Sequence, residues 1–323
     1  MRSNPIPIFG HHNVLQGGRG SPANIAIGLA KLNASVGFIG AVSSDGIGDF
    51  VCEFMAKRDI DLSGIRHLSG EYRTSLAVCE LKQAPEVVIY RNLAADLAIT
   101  PADISPDYIG SARCLVVSGT ALSTSPSREA TLLAMETAQK HGTKVILDLD
   151  FRAYSWQDDP AIQYERAAQL SDVLIGNREE FSILTIGSDA DTQSPNYVQT
   201  AEELLEDAGL EMVIVKAGSE GCDVFGRDSH GDITRLSQGV FTVEAQKPYG
   251  AGDAFAAAVI FGLLNSYSLH DALTMGAANA AINVMGTTCS EDMASLQEIM
   301  NFISLHSDSV TNGEYLERTQ HHG

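Results

Sequence analysis

The sequence predicts an α/β fold in which a mainly parallel sheet lies between two helix layers, with a small β excursion to one side. Two observations carry the prediction. From Ala112 onward, short apolar runs alternate with stretches of helical period, the pattern of right-handed βαβ units stacked into one sheet. Between Arg66 and Arg91 the pattern changes to alternating polar and apolar residues, as half-exposed antiparallel strands show.

Taken in order, the first 16 residues, MRSNPIPIFGHHNVLQ, show no period, and two prolines make NPIPIFGHH poor strand material. That segment is expected to be loose. YRTSLAVCELK and EVVIYRN supply the β excursion, placed within 66–95. Its exposed edge is a candidate surface for pairing with a second copy in a homodimer. ARCLVVSG and KVILDLD are continuous apolar runs of the length of buried parallel strands. Between them, SPSREATLLAMETAQKHG reads as a helix with Ser125 as N-cap, Pro126 at its first position and Gly142 as terminator. SDVLIG, NREEFSIL, AEELLEDAG and EMVIVKAG continue the alternation. Helical stretches near 253–265, 269–285 and 294–304 close the domain, and residues 306–323 read as a tail.

Composition narrows the function. With 323 residues and 44% hydrophobic content, the chain can bury a sizeable core as one large domain or two smaller ones. The balance of 21 basic against 41 acidic residues, 21 − 41 = −20, opposes nucleic acid and anionic membrane surfaces as partners. A small anion can bind only where local donors override that field. Five dispersed cysteines, Cys52, Cys79, Cys114, Cys222 and Cys289, form no CxxC pair and read as reduced thiols. No apolar run reaches membrane-spanning length and no signal segment opens the sequence, so a soluble, cytoplasmic protein is expected.

The stretch KPYGAGDAFAAAVIFGLL carries the chemistry. A helix starting near Gly252 presents backbone N–H groups with no acceptor inside the helix, and its dipole adds positive charge there. Gly250 and Gly252 let the backbone turn tightly and approach an anion. Asp253 would repel that anion, unless it faces a second group. A carboxylate in this place can take the proton of a hydroxyl that attacks a phosphate, while the amides stabilise the transferring group. The plainer alternative is an acidic residue in a first helical turn, favourable to the dipole and nothing more. No GxxxxGK[ST] is present, and GAGDAF lacks the third glycine of a dinucleotide motif.

GAGDAFAAA resembles the C-terminal signature of the ribokinase-like (phosphofructokinase B type) sugar kinases, and GG…NIAIGLAKL resembles their N-terminal signature. The similarity runs from about Gly17 to Ile303. It implies a ribokinase-like three-layer α/β/α sandwich over 17–305, with a β-sheet lid, that transfers phosphate from ATP to a sugar hydroxyl. By this resemblance Asp253 is the catalytic base, and the backbone of Gly250, Ala251 and Gly252 forms the anion hole. SPANIAIG, YRNLAADLAI, SGTALSTSPSREA, DLDFRAYSW and IGNREEF resemble the branch acting on a sugar acid of inositol catabolism. The acceptor implied is the 6-hydroxyl of 5-dehydro-2-deoxygluconate. 2-Dehydro-3-deoxygluconate, fructose or ribose, or binding without catalysis, remain alternatives.

The resemblance assigns further residues. Asn177 and Glu180 match an NxxE motif that holds Mg2+ largely through water, a cation that keeps part of its hydration shell; an ordinary helix start with Asn177 as N-cap is the alternative. Lys216, Gly218 and Gly221 in VKAGSEG match a strand-end turn near the nucleotide, or a plain glycine turn. Asn279 is placed beside the adenine, or is a packed helix amide. Arg152 in DLDFRAY, and Arg91 in the lid, are candidates to clamp a sugar acid. Asn24 is a candidate donor to substrate hydroxyls, or a helix cap.

Three departures from the family stand out. Only 16 residues, without an Asp, precede Gly17, so the start is expected to be truncated and short of one strand and one substrate ligand. The spacing from Gly18 to Asn24 is longer than the family's, so either a two-residue insertion distorts the loop, or Gly20 takes the place of the second glycine with Arg19 in the first position. Lys247 stands where many members have Asp.

Overall fold

The computed structural model describes residues 6–8, 12–14, 20–79, 87–156, 158–185, 196–247, 249–306 and 315–316. Strands β1 (Ile6–Ile8) and β2 (His12–Val14) pair antiparallel with Pro7 opposite Asn13. A strand here differs from the expectation drawn from the two prolines. A two-stranded ribbon consists only of edges, where a missing N–H is tolerated. Helix α1 (Ser21–Lys31) leads to β3 (Gly37–Ser43), α2 (Gly46–Ala56) and β4 (Asp61–Leu68). Asp45 caps α2 by accepting from the amides of Ile47 and Gly48.

Residues 66–68 belong to β4, which pairs parallel with β3, so the β excursion starts later than expected. It consists of β5 (Leu76–Cys79) and β6 (Val87–Tyr90), paired antiparallel with Leu76 opposite Tyr90. Leu76, Val88 and Tyr90 are exposed, as the alternating pattern requires.

The main sheet begins after α3 (Pro106–Gly110), with β7 (Cys114–Ser118), α4 (Ser127–His141), β8 (Lys144–Asp148), α5 (Pro160–Ala168) and β9 (Val173–Asn177). Helix α4 starts at Ser127 with Pro126 at the N-cap, one residue later than expected. Ser125 donates to Glu129 Oε1 rather than accepting a helix amide. Gly142 ends the helix at φ 71, as expected. Then come α6 (Arg178–Phe181), α7 (Tyr197–Asp207), β10 (Met212–Lys216), β11 (Cys222–Arg227) and β12 (Ile233–Gln238). Helices α8 (Ala251–Leu264), α9 (Leu269–Met285) and α10 (Leu296–Leu305) follow. Strand β13 (Tyr315–Leu316) joins the edge beside β12, so part of the expected tail is sheet.

The seven strands lie in the order β13-β12-β11-β10-β9-β8-β7. β7 to β10 are parallel, and β11 and β13 run against them. Both faces are covered, and the strand alternation sorts the side chains between two cores. Val145, Leu147, Leu174, Val213 and Val215 point to the layer of α4, α5 and α7. Ile146, Val173, Ile175 and Ile214 point to α1, α8, α9 and α10. Helix α8 is buried from Ala254 to Gly262 because α1 and α9 flank it on the sheet, and an apolar surface on all sides suits that place.

The β3–β4 pair forms a sheet of its own, packed on α1 through Ala26, Ile27, Phe54, Met55 and Ile60. A cavity of about 590 Å³ lies where residues 36–39 of the β3 region and 114–116 of β7 face it, with Ile25, Leu29 and Ile260 also in its wall. Tyr108 stands at its rim, with its hydroxyl 3.5 Å from the carbonyl of Asp61.

Replacing Ile214 by Ala, at the centre of the sheet, should lower the unfolding free energy by about 2–5 kcal/mol in urea titration. Ile162→Ala, at an exposed position of α5, should change it by about 0.5 kcal/mol or less. Equal losses at both would contradict the burial described.

Candidate active site

The parallel strands end side by side. Asp148 closes β8, Asn177 closes β9 and Lys216 closes β10, with Lys216 opposite Asn177 in the ladder. Such an edge, outside the carboxyl ends of parallel strands, is where open α/β folds gather their ligands. Helices α1 and α8 both begin here and bring Ser21, Asn24 and Asp253.

Asp253 lies in the first turn of α8 and is held from α1. Ser21 Oγ donates to Oδ1 at 2.7 Å and Asn24 Nδ2 donates to Oδ2 at 2.7 Å. The same serine oxygen is 3.3 Å from Asp148 Oδ2. A hydroxyl has one proton, and the shorter contact places it on Asp253. Burial lifts the Asp253 carboxyl to about 6; the charges of Asp148 and Asp150 add to the rise, and the bonds from Asn24 and Ser21 oppose it. Among the described residues, the buried Asn24 Oδ1 finds no hydrogen-bond partner, an unmet acceptor beside the Asp253 carboxylate.

Gly250 is the N-cap of α8 at φ 83. A Cβ there would lie 2.9 Å from Asn283 Oδ1 and 3.1 Å from Cys289 Cα, so conformation and space both require glycine. Past it, the first amides of a fourteen-residue helix, Ala251 and Gly252 among them, have no acceptor within the helix.

Lys216 Nζ is 3.2 Å from Asp148 Oδ1 and 3.5 Å from where a Cβ on Gly252 would sit. Burial alone would lower its affinity for the proton, but the carboxylates of Asp148, Glu180 and Asp253 outweigh that and hold it charged. Its ammonium therefore points inward among the acids. In that turn Gly218 has φ 57 and Gly221 φ 94. A Cβ on Gly221 would meet the Gln238 carbonyl oxygen at 1.9 Å, so this glycine answers to packing against the chain after β12.

Asn177 and Glu180 close a capping box. Asn177 Oδ1 accepts from the Glu180 amide at 2.9 Å, and Glu180 Oε2 accepts from the Asn177 amide at 2.8 Å. Glu180 Oε1 faces Arg152 Nη1 at 3.6 Å. Burial raises the Glu180 carboxyl and Lys216 opposes the rise. Among the described residues no group of three or more His, Cys, Asp or Glu is arranged to hold a metal ion. One carboxylate beside an amide still fits a hydrated Mg2+, which takes few direct protein ligands.

Arg152 also pairs with Asp150 Oδ1 at 2.7 Å. Asp150 sits at φ 36 and accepts from Ser118 Oγ at 2.9 Å. Burial raises its carboxyl, and Arg152 opposes that. Arg91, just past β6, pairs with Asp96 Oδ2 at 2.5 Å and donates to the Thr120 carbonyl at 3.3 Å. Since Ser118 and Thr120 share a hydroxyl contact of 2.8 Å, both arginines attach to one turn, each already facing a carboxylate. Gly20, at φ 133, caps α1, and its carbonyl accepts the Asn24 amide at 2.8 Å. Gly18 lies outside the described residues.

Asn279 is fully buried; its Nδ2 donates to the Ala254 carbonyl at 2.7 Å and its Oδ1 accepts from the Ala294 amide at 2.9 Å. The amide thus ties α8 and α9 to the entry of α10, as the packed-amide alternative to a place beside the adenine requires. Two site residues were not anticipated. Asp148 is a charge at the end of a buried apolar strand, an exception to burial rules that could have flagged it. Ser21 had only its place at a helix start.

A buried carboxylate at the start of an amide-rich helix, on the carboxyl edge of a parallel sheet, accords with a ribokinase-like phosphotransferase of ATP-dependent carbohydrate kinase type. The sequence matches the pfkB family carbohydrate kinase description over residues 11–295. The chain belongs to that family. It is 45% identical over 295 residues to a 5-dehydro-2-deoxygluconokinase of Photobacterium profundum, covering 90% of this chain and 87% of that protein. A protein of the same name from Clostridium perfringens is 40% identical over 306 residues, covering 93% and 87%. Among solved structures, a fructokinase from Xylella fastidiosa with bound ATP superposes with a TM-score of 0.80 at 23% identity, covering 90% of this chain and 91% of that one. No described helix is long and apolar enough to cross a membrane.

Asn279→Ala would strand two buried backbone groups and should lower stability by about 1–3 kcal/mol for each, with the KM for ATP unchanged. A raised KM in a variant of wild-type stability would return Asn279 to the nucleotide site.

Proposed function

We propose that this protein transfers the γ-phosphoryl group of ATP to the 6-hydroxyl of 5-dehydro-2-deoxygluconate, with Asp253 as general base. The observation that carries the reading is the fixed carboxylate of Asp253, anchored on both oxygens beside the open amides of α8. The names of the two similar proteins supply the acceptor.

In this mechanism the acceptor hydroxyl donates to a remaining lone pair of Asp253. As its oxygen bonds to the γ-phosphorus, the proton passes to the carboxylate, the bond to the β-phosphate oxygen breaks and ADP leaves. The amides after Gly250 and the ammonium of Lys216 face the charge on the transferring group. Asn24 Oδ1 accepts from an acceptor hydroxyl. Arg152 and Arg91 exchange their present carboxylate partners for the sugar acid, whose planar group suits a guanidinium. Glu180, with Asn177 behind it, would hold Mg2+ through the ion's water shell, and the ion would supply charge neutralisation on the phosphates. The β5–β6 hairpin acts as a lid that excludes water.

The test is coupled ADP release with Mg-ATP and, in turn, 5-dehydro-2-deoxygluconate, 2-dehydro-3-deoxygluconate, fructose and ribose. Turnover is expected on the first, reduced about 10²–10⁴-fold in Asp253→Ala. Preference for a neutral sugar would sink the acceptor assignment.

The pH profile gives a second check. Asp253 works only as carboxylate, and its affinity for the proton is raised from 3.8 to about 6. kcat/KM should therefore be lost as pH falls through about 6, by about tenfold per unit below it. A rate flat down to the ordinary carboxylate range would exclude Asp253 as the base.

A further inference from the structure

Lys247, three residues before Gly250, is only 5% exposed, and the mechanism above makes no use of it. Its ammonium donates to the Tyr249 carbonyl at 2.9 Å and to Asn283 Oδ1 at 2.7 Å. Asn283, fully buried in α9, donates in turn to the Cys289 carbonyl at 2.5 Å. Asn283 Oδ1 and Cys289 are also the atoms against which Gly250 packs. The lysine backbone is tied to α9 as well, with its amide 3.3 Å from the Val284 carbonyl. The carboxylate that feels its charge is Asp292, itself accepting from the amides of Thr287 and Thr288.

The geometry of a peptide plane gives this arrangement a purpose. In a trans peptide the carbonyl and the following N–H point in opposite directions. The peptide joining Tyr249 to Gly250 is trans. Holding the Tyr249 oxygen on the ammonium therefore turns the Gly250 N–H away from Lys247. A buried charge is costly unless it is well partnered, and a turn made only of neutral groups would not need one. A carbonyl and an amide oxygen converging on a singly charged ammonium are also the oxygen donors that a free monovalent cation of similar size would accept.

We propose that Lys247 is a positioning residue whose ammonium serves as a built-in monovalent cation, orienting the turn at Gly250 for the transferring phosphoryl group. The proposal rests on the kinase reading given above. Its consequence is a kinase that needs no monovalent salt, because the cation is covalently part of the chain.

The experiment compares wild type, Lys247→Ala and Lys247→Met in sodium, potassium, ammonium and tetramethylammonium chloride at equal ionic strength. Wild-type rates should agree across the salts within about twofold. Lys247→Ala should lose about 10²-fold in kcat, the cost of a misplaced group, with KM for the acceptor little changed. Potassium or ammonium, but not tetramethylammonium, should restore at least a tenth of the wild-type kcat, about tenfold above the unrescued rate. Unaltered kcat in Lys247→Ala, or a loss that no cation repairs in a folded variant, would overturn the proposal. Lys247→Met, which keeps the bulk of the stem, carries the same test if the alanine variant does not fold. Failure of both to fold in every salt would assign Lys247 to stability alone and overturn it too. Stabilisation of each protein by ADP in thermal melts, restored in the variant by ammonium, reads the same turn without turnover. An inactive wild type would thus defeat the kinase reading while leaving Lys247 separately judged.

Discussion

Four carboxylates share the carboxyl edge of the sheet: Asp148, Asp150, Glu180 and Asp253. Among the described residues, two cations, Lys216 and Arg152, are paired with them. Burial and that imbalance govern the rest of the site. Burial first, and the neighbouring carboxylates second, make Asp253 easier to protonate than an ordinary aspartate, while the carboxylates keep Lys216 charged. It also leaves the site short of positive charge until a phosphate arrives with its own divalent ion. The opened amides of α8 add partial positive charge beside the Asp253 carboxylate.

The wider charge distribution follows the same logic. A protein of net charge −20 repels a nucleotide at long range, so every favourable contact must be short and buried, where solvent screens it little. Hence the cations near the site are tied: Lys216 to Asp148, Arg152 to Asp150, Arg91 to Asp96, and Lys247 to backbone and amide oxygens. Tying them limits the side-chain entropy lost when a ligand binds.

Much of this was legible in the sequence, and the reasons differ by residue. KVILDLD and EMVIVKAG read as strands because burial on both faces leaves no polar positions in them. GAGDAF was legible because a tight turn, an open helix start and an acid occupy consecutive residues. Asp148 and Ser21 were not, since their meaning arises only when α1 is folded against β8, 127 residues away. Asn279 stayed ambiguous in the sequence because a buried amide that braces two helices and one that meets a base are the same residue type in the same helix. The start of α4 slipped by one residue because Ser125 spends its hydroxyl on Glu129. The strand at Ile6–Ile8 was hidden by a proline that only an edge can accept.

The cavity between β3 and β7 has a mechanical consequence. A ladder of backbone hydrogen bonds resists sliding, since any shift breaks several bonds together. Apolar surfaces in contact carry no register and yield to small displacements at little cost. The β3–β4 pair is joined to α1 by such surfaces, and no described ladder links it to β7. The β5–β6 hairpin follows β4 in the chain. The unit carrying it thus rests on a compliant seam, whereas Asp148, Asn177 and Lys216 sit on strands locked edge to edge. Rigidity and give are divided along one line through the molecule, with the carboxyl-edge residues on the rigid side.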